Sequence, residues 1–333
     1  METSKTLILS KSDVESLMKM KEAMKAVQNA FGSFTLGKTV MPSKIYINLP
    51  KYEGDFRAMP AYVEPTDSCS LKWVNVHPRN KKIHLPTVMA VLILSDPKTG
   101  YPLCIMDATY LTALRTGAAG GVAAKFLAKK KSNSVALVGC GVQAKTQLLA
   151  LVELFSFKRI HVWEMNRKEA DNFNRDLKKI KGLKKTVIQS FDLLKDCVFG
   201  CDIIVTTTPS RRALVKFDWL KAGCHINAIG ADAKGKQELG LDIIQKAKVV
   251  VDAWDQASHS GEINVAVSRG FFPRRKLYAE IGEIVLGKKK GRLNDKEITV
   301  FDSTGLAIQD AAVAQVVYKK ALKFKKGKNV KIV

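Results

Sequence analysis

Apolar and polar positions along this chain follow two different rhythms, and the change of rhythm divides it. Ser12-Asp13-Val14-Glu15 is a helix start, and Val14, Leu17, Met18, Met24, Val27 and Phe31 make one apolar stripe that runs to Gly32. Residues 44–49 then alternate polar and apolar in the two-residue period of a half-buried strand. Further strands are expected over 56–63, 70–77 and 87–94. The turn residues Asp96-Pro97-Lys98-Thr99-Gly100 lead into another over 102–106. This first part predicts a mixed sheet, followed by a long helix opening at Asp107 and running toward Leu127.

From residue 134 the rhythm becomes short apolar run, turn, helix. The run 135–138 breaks at Gly139 and enters a helical stretch from Gln143, so that strand, Gly139-Cys140-Gly141-Val142-Gln143-Ala144 and helix stand in the order of a dinucleotide-binding fingerprint. Gly139 permits the tight turn, Gly141 lets backbone approach a pyrophosphate, and Ala144 lets helix and strand pack closely. The first N–H groups of the helix are left to bind the phosphates. About twenty residues on, as such a fold requires, the run 159–163 ends in Glu164, whose carboxylate can accept both ribose hydroxyls of NAD and would repel a 2′-phosphate. Arg167 lies three residues later. It is either a solvated first-turn residue or a partial offset to that repulsion, which keeps NADP open. Strands over 203–206, 225–229, 249–252 and 298–301 continue the alternation. The expected fold class is α/β: a doubly wound parallel sheet over 116–305, plus a mixed α+β domain from 1–115 and 306–333, with a last helix over 306–322 returning to the first domain.

The chain has 333 residues, 46% of them hydrophobic and 26% charged, enough for two domains with cores of their own. The N-terminal apolar run, 6–9, is too short for a signal peptide, and no stretch approaches a membrane span, so a cytoplasmic protein is expected. The six cysteines are scattered without a C-x-x-C pair and read as reduced thiols, not as a zinc set. The net charge of +24 comes from short lysine runs spread along the chain, with no nucleic-acid module beside them. A solvated basic surface accounts for it, and no specific nucleic-acid or metal partner is expected.

Lys72 sits between apolar neighbours, Leu71, Trp73 and Val74. Such a lysine either snorkels to water or, held in a pocket, polarises a carbonyl or serves as a base when desolvation lowers its pKa. Arg57, in a similar strand position, and Arg115, on the helix before the fingerprint, suit a small carboxylate or a surface ion pair. Asp232 follows the strand 225–229, at the edge where doubly wound sheets bind ligands. It is either a helix N-cap or the holder of a substrate ammonium. Thr206, Thr207 and Thr208 end another strand at that edge and are placed to touch a cofactor.

Met59-Pro60-Ala61, Leu71-Lys72-Trp73-Val74-Asn75, Leu111-Thr112-Ala113-Leu114-Arg115-Thr116-Gly117-Ala118 and Gly139-Cys140-Gly141 resemble the ornithine cyclodeaminase/μ-crystallin family. So do Ile229-Gly230-Ala231-Asp232, Gly235-Lys236-Gln237-Glu238-Leu239 and Phe301-Asp302-Ser303-Thr304-Gly305. The resemblance covers nearly the whole chain. It implies a Rossmann domain for a nicotinamide cofactor and an N-terminal domain that binds substrate and pairs subunits into a homodimer. By resemblance Lys72 is catalytic, Asp232 lies near the substrate amino group and Arg115 takes its carboxylate. The implied cofactor contacts are Arg115, Thr116, Gly139, Gly141, Val142, Gln143, Glu164, Arg167, Thr206, Thr207, Thr208, Ile229, Gly230, Asp232, Lys236 and Ser303. Cyclodeaminases tend to offer an acid before the Met-Pro pair for a second substrate ammonium, and Arg57 stands in that neighbourhood here. If it points inward it repels an ornithine side chain and attracts a carboxylate. Two unit charges about 4 Å apart interact by ~1 to ~4 kcal/mol depending on screening. The expected activity is therefore NAD-dependent oxidative deamination of L-alanine to pyruvate and ammonia. Ornithine cyclodeamination, ketimine or imino-acid reduction, and plain binding of cofactor and ligand are the alternatives.

Overall fold

The computed structural model describes residues 5–180 and 182–333. In chain order, β1 (Thr6–Leu9), α1 (Lys11–Leu17), α2 (Met20–Thr35) and β2 (Thr39–Val40) come first. They are followed by β3 (Ile45–Leu49), β4 (Gly54–Val63), β5 (Ser68–Val76), β6 (Val88–Ser95), β7 (Pro102–Asp107) and the long α3 (Thr109–Leu127). Next are β8 (Ser134–Val138), α4 (Val142–Leu151), β9 (Arg159–Trp163), α5 (Arg167–Leu177), β10 (Val187–Ser190), α6 (Leu194–Val198), β11 (Ile203–Thr206) and β12 (His225–Ala228). Then come α7 (Leu241–Lys246), β13 (Lys248–Val251), α8 (Trp254–Ser260), α9 (Asn264–Ser268), β14 (Ala279–Glu280), α10 (Ile281–Val285) and β15 (Thr299–Asp302). The chain closes with α11 (Ala307–Phe324) and β16 (Lys328–Val330). It forms two compact units, residues 1–115 with 306–333 and residues 116–305. Among the described residues no helix is long and apolar enough to cross a membrane.

The first unit is a mixed sheet in the order β16-β1-β7-β6-β5-β4-β2, with β3 also paired to β4. Pleating sends successive side chains to opposite faces. In β5, Ser70, Lys72 and Val74 are buried, whereas Leu71 and Trp73 are 38% and 41% exposed. Leu71 and Trp73, on either side of Lys72, thus face away from it, and the lysine itself is on the covered face with Val74. α11 covers that face, packing on β4, β5 and α2. Its buried Ala311, Ala314 and Ala321 let the helix axis approach the sheet closely. The single apolar stripe expected over 14–32 is divided between α1 and α2. The backbone is extended at Met18 and Lys19, and Lys320 of α11 reaches into the break to donate to the Leu17 carbonyl (2.8 Å) and the Glu22 carboxylate (2.7 Å). A terminal carbonyl of α1 that a continuous helix would have satisfied is met from another helix instead.

The second unit is an entirely parallel sheet in the order β10-β9-β8-β11-β12-β15-β13-β14. Its strand order reverses between β8 and β11, the point at which such sheets bind ligands outside their carboxyl ends. All five residues of β8 are buried, as a central strand covered on both faces requires. At its amino end the chain is pinned by Asp202. That carboxylate accepts the N–H groups of Asn133 (2.9 Å) and Ser134 (3.2 Å) and the Ser134 hydroxyl (3.0 Å), and it pairs with Lys129 (3.2 Å) and Lys221 (2.8 Å). Burial alone would raise its pKa, but the donors from Lys221, Asn133, Ser134 and Lys129 outweigh it and hold Asp202 well below the usual carboxylate range.

A carboxyl group depressed in the folded state stabilises it above the unfolded pKa of about 4, and that contribution is lost as pH falls toward the folded value. Asp202→Asn is therefore expected to destabilise the chain by roughly 2–4 kcal/mol at neutral pH. Urea unfolding of both proteins measures this, and the difference should shrink below about pH 4.

Candidate functional site

On the covered face of the first unit, antiparallel pairing sets Lys72 opposite Met59 on one side and Leu92 on the other. Lys72 is fully buried. Its Nζ lies 2.8 Å from Asp310 Oδ2 in the first turn of α11, and no other acceptor meets it among the described residues. The other carboxylate oxygen of Asp310 accepts from Arg115 Nε (3.0 Å), and Arg115 Nη1 donates to Gln309 Oε1 (2.9 Å). Lysine, acid and arginine form one dry chain of charge. Burial pushes the Lys72 pKa down to about 7; the nearby Arg115 guanidinium adds to the lowering and the Asp310 carboxylate opposes it. An amine poised near neutrality, with donors left over, can give or take a proton and can polarise an oxygen.

Arg57 is buried on the same face of the sheet, as the substrate argument required. Its charge is not bare. Nε and Nη2 donate to Asp55 at 2.8 and 3.1 Å, and the guanidinium lies over the Tyr46 ring, 5.2 Å from its centre. Arg115 is likewise no surface ion-pair residue, being 5% exposed.

In the second unit, the turn after β8 is built on two glycines. Gly139 has φ +92, outside the range that side chains tolerate, and its N–H donates to the Trp163 carbonyl of β9 (2.9 Å). Gly141 caps α4, and a Cβ there would meet nothing within 4 Å, so the backbone presents an open cradle at the helix N-terminus. Val142 is exposed beside it, and Gln143 accepts from the Thr146 hydroxyl at 3.3 Å. Glu164, just past β9, accepts from Cys140 N (3.3 Å) and Met165 N (2.9 Å), which holds its carboxylate at the glycine turn. Open cradle, helix N-terminus and carboxylate together fit a dinucleotide: Gly141, Val142 and Gln143 would meet the pyrophosphate, and Glu164 a ribose. Arg167 instead turns to Asp192 (2.6 Å) and Asp171 (3.4 Å) on the surface. Thr116 is buried and its carbonyl accepts from Gln147 (2.8 Å). The Cys140, Glu164 and Glu169 ligand atoms lie within 4.8 Å of one another, but Glu169 is exposed and such acidic groups commonly gather without an ion.

Four carboxylates shape the carboxyl edge of this sheet. Glu238 accepts from Thr208 N (2.6 Å), Thr208 Oγ1 (2.7 Å) and Gly230 N (2.9 Å), which ties the segment after β11 to the segment after β12. Glu262 accepts from the N–H groups of Glu238 (2.8 Å) and Leu239 (2.7 Å), and Asp302 from Ile263 (3.1 Å). Asp252 receives Thr304 N (2.7 Å), Gly305 N (2.9 Å) and the Ser303 hydroxyl (3.3 Å). Burial raises the pKa of Glu238 and, with the Glu238 charge beside it, raises Glu262 well above its ordinary value; burial and Asp252 push Asp302 up to about 8. Thr206 and Ile229 are buried, and Thr207 Oγ1 donates to the Val138 carbonyl (3.2 Å). Asp232 does not cap a helix, since none begins before α7; it pairs with Lys236 at 2.6 Å.

Asp310, Glu238 and Glu262 were not among the residues expected from the sequence to do chemistry. A signal for Asp310 was present, an acid set between Ala307-Ile308 and Ala311-Ala312-Val313 where a solvated helix face would not place it.

The sequence model of the ornithine cyclodeaminase/mu-crystallin family matches residues 4–325. Alanine dehydrogenase of Archaeoglobus fulgidus is 51% identical over 326 residues, which cover 98% of each chain. The solved dimer of an archaeal alanine dehydrogenase with bound NAD superposes with a TM-score of 0.93 at 50% identity, covering 99% of this chain and all of that one. Thermococcus litoralis Δ1-pyrroline-2-carboxylate reductase, solved with NADH and L-proline, has a TM-score of 0.94 at 38% identity, covering 98% of this chain and 100% of that one. With the second unit, the glycine turn and all but the ends of the first unit inside the matched span, the chain belongs to the ornithine cyclodeaminase/mu-crystallin family.

Proposed function

We propose that this chain is a cytoplasmic NAD-dependent dehydrogenase that converts L-alanine, water and NAD reversibly to pyruvate, ammonia and NADH. The observation that carries the reading is Lys72, wholly buried beside Asp310 and tuned to a pKa of about 7. The cradle at Gly141 and the Glu164 carboxylate support the cofactor, as do the NAD- and NADH-bound neighbours. The similarity to the A. fulgidus enzyme supports alanine.

A nicotinamide ring, when bound, accepts the hydride from the substrate Cα. Neutral Lys72 takes the proton that the amino group gives up, leaving an imine. Water then adds at Cα, and the carbinolamine collapses to pyruvate and ammonia. In reverse, protonated Lys72 polarises the keto oxygen. Arg115 uses Nε and Nη1 on Asp310 and Gln309, which leaves Nη2 for the substrate carboxylate, with Arg57 as the second clamp. Asp232 holds the amine and orients water. Thr116, Thr206, Thr207, Thr208, Ile229, Gly230, Lys236 and Ser303 are assigned to the cofactor's surroundings. Arg167, held by Asp192 and Asp171, would have to leave that pair to serve NADP.

The first unit is proposed to pair subunits as well as bind substrate. Its uncovered sheet face exposes Ile45, Ile47, Leu71, Trp73, Val91 and Ile93, an apolar surface suited to a second copy, and the archaeal neighbour was solved as a dimer.

Absorbance at the NADH band tests the activity. Sustained NADH formation with L-alanine, reversed by pyruvate and ammonium, is expected. Proline from ornithine without net NADH would replace this reading with cyclodeamination, and turnover only with a cyclic imine would replace it with imine reduction. Lys72→Met should lower kcat by about 10²–10⁴-fold while fluorescence titration finds NADH binding intact; lost binding would mean the lysine serves the cofactor instead. Glu164→Ser should raise KM for NAD by roughly ten- to a hundredfold and improve NADP relative to it, read from steady-state kinetics with both. Trp73→Glu should yield a monomer by sedimentation velocity where the parent chain is a dimer.

A further inference from the structure

Lys72 is the base of the reading above, and the question it leaves is what keeps a lysine so deeply buried in a usable protonation state. Burial and the Arg115 guanidinium both drive it toward the neutral amine. The charged groups that face it are few. Arg115 lies on α3, Lys44 ahead of β3, and Arg57, already paired with Asp55, on β4; Leu92, its partner on β6, brings no charge. Of these, Arg115 and Lys44 disfavour an ammonium at Lys72. Among the described residues the one carboxylate in contact with Nζ is Asp310, 2.8 Å away and itself fully buried.

Asp310 is held where it is by more than Lys72. It lies in the first turn of α11, and Arg115 Nε fixes its second oxygen at 3.0 Å while Gln309 holds Nη1 of the same guanidinium. A carboxylate with one oxygen immobilised presents the other in a constant direction. The ammonium that meets it is thereby aimed as well as stabilised. One acid thus stands between two cations that would otherwise repel each other in a dry site.

We propose that Asp310 is the positioning residue of this site, sharing its carboxylate between Lys72 and Arg115 so that Lys72 stays within reach of both protonation states and points its free N–H groups at the substrate. The inference rests on Lys72 being the acid/base of the reaction. It predicts that the carboxylate, rather than α11 as a packing element, governs how Lys72 titrates.

The test is the pH profile of kcat for amino-acid oxidation in the parent chain, Asp310→Asn and Asp310→Glu. In the parent, kcat should rise as pH increases through about 7, because the neutral amine is the base. Asp310→Asn keeps the shape of the side chain and removes its charge. Its limb should move to lower pH, by a factor of about ten or more in proton concentration, and kcat on the plateau should fall because the amine is no longer aimed. Asp310→Glu keeps the charge with the oxygen displaced, so its limb should stay near the parent's while the plateau falls. A merely structural role would lower kcat in both variants and move the limb in neither, which overturns the inference and leaves Lys72 as the base. A parent without any limb near 7, or with full activity in Lys72→Met, removes the base and the inference with it. If Asp310→Asn does not fold, Asp310→Ser, which also removes the charge, decides: a limb moved to lower pH upholds the inference, and an unmoved limb overturns it.

Discussion

An ammonium taken entirely out of water must meet a counter-charge, because its uncompensated burial is among the largest single penalties a fold can carry. The first unit is arranged around that constraint. Lys72 sits in the middle of β5, a strand whose covered face is closed by α11, and the counter-charge rides on α11 itself. The pairing joins distant parts of the chain; its second arm, from Arg115 to Asp310, joins residues 195 apart in sequence. This explains why the last helix belongs with the first strands. A unit made of residues 1–115 alone would leave Lys72 and Arg115 as adjacent buried cations with no acid between them.

The second unit meets a different constraint with the same kind of group. The carboxyl ends of parallel strands release the chain into loops whose N–H groups have no ladder partner, and buried N–H groups are rarely left unpaired. Glu238, Glu262 and Asp252 supply acceptors there, each taking two or more donors from the segments that follow β11, β12 and β15. Side-chain carboxylates do what a strand partner would do elsewhere, and they leave the backbone at Thr208 and Gly230 in a fixed position. Burial and the Glu238 charge beside it raise the pKa of Glu262 well above its ordinary value.

Much of this was legible in the sequence, and what was not has a physical pattern. The central strands β5, β6, β8, β11 and β12 and the glycine turn were readable, since strands buried on a defined face, or on both, impose a strong apolar period. Of the strands that escaped, β2, β10, β14 and β16 lie at the edges of their sheets, whereas β1, read only as a short apolar run, lies between β16 and β7. An edge strand has one neighbour and a weakly buried surface, so its residues need no distinct period; the basic stretch holding β16 reads as solvated tail although it pairs antiparallel with β1. The division of the first helix into α1 and α2 was invisible for another reason. Its cause is Lys320, far along the chain, and no local pattern announces it. Among site residues, those with a local motif could be proposed: Gly139, Gly141, Glu164, and Lys72 in its apolar setting. Asp310 has no motif; its significance lies in what it touches.

Charge read one residue at a time misleads for the same reason. From sequence, Arg57 is an isolated cation that repels an ornithine side chain. In the fold its guanidinium is matched by Asp55, and Arg115 and Lys72 share Asp310, so that, Lys44 apart, the paired groups are three cations and two carboxylates. With Lys72 protonated these groups carry one net positive charge; with Lys72 neutral they carry none. On the proposed reading, a face of that kind suits a single substrate carboxylate and gains nothing from a second ammonium. It also ties recognition to chemistry. On that reading, the proton that Lys72 gains or loses would change the net charge met by a substrate carboxylate, linking binding to proton transfer through Asp310.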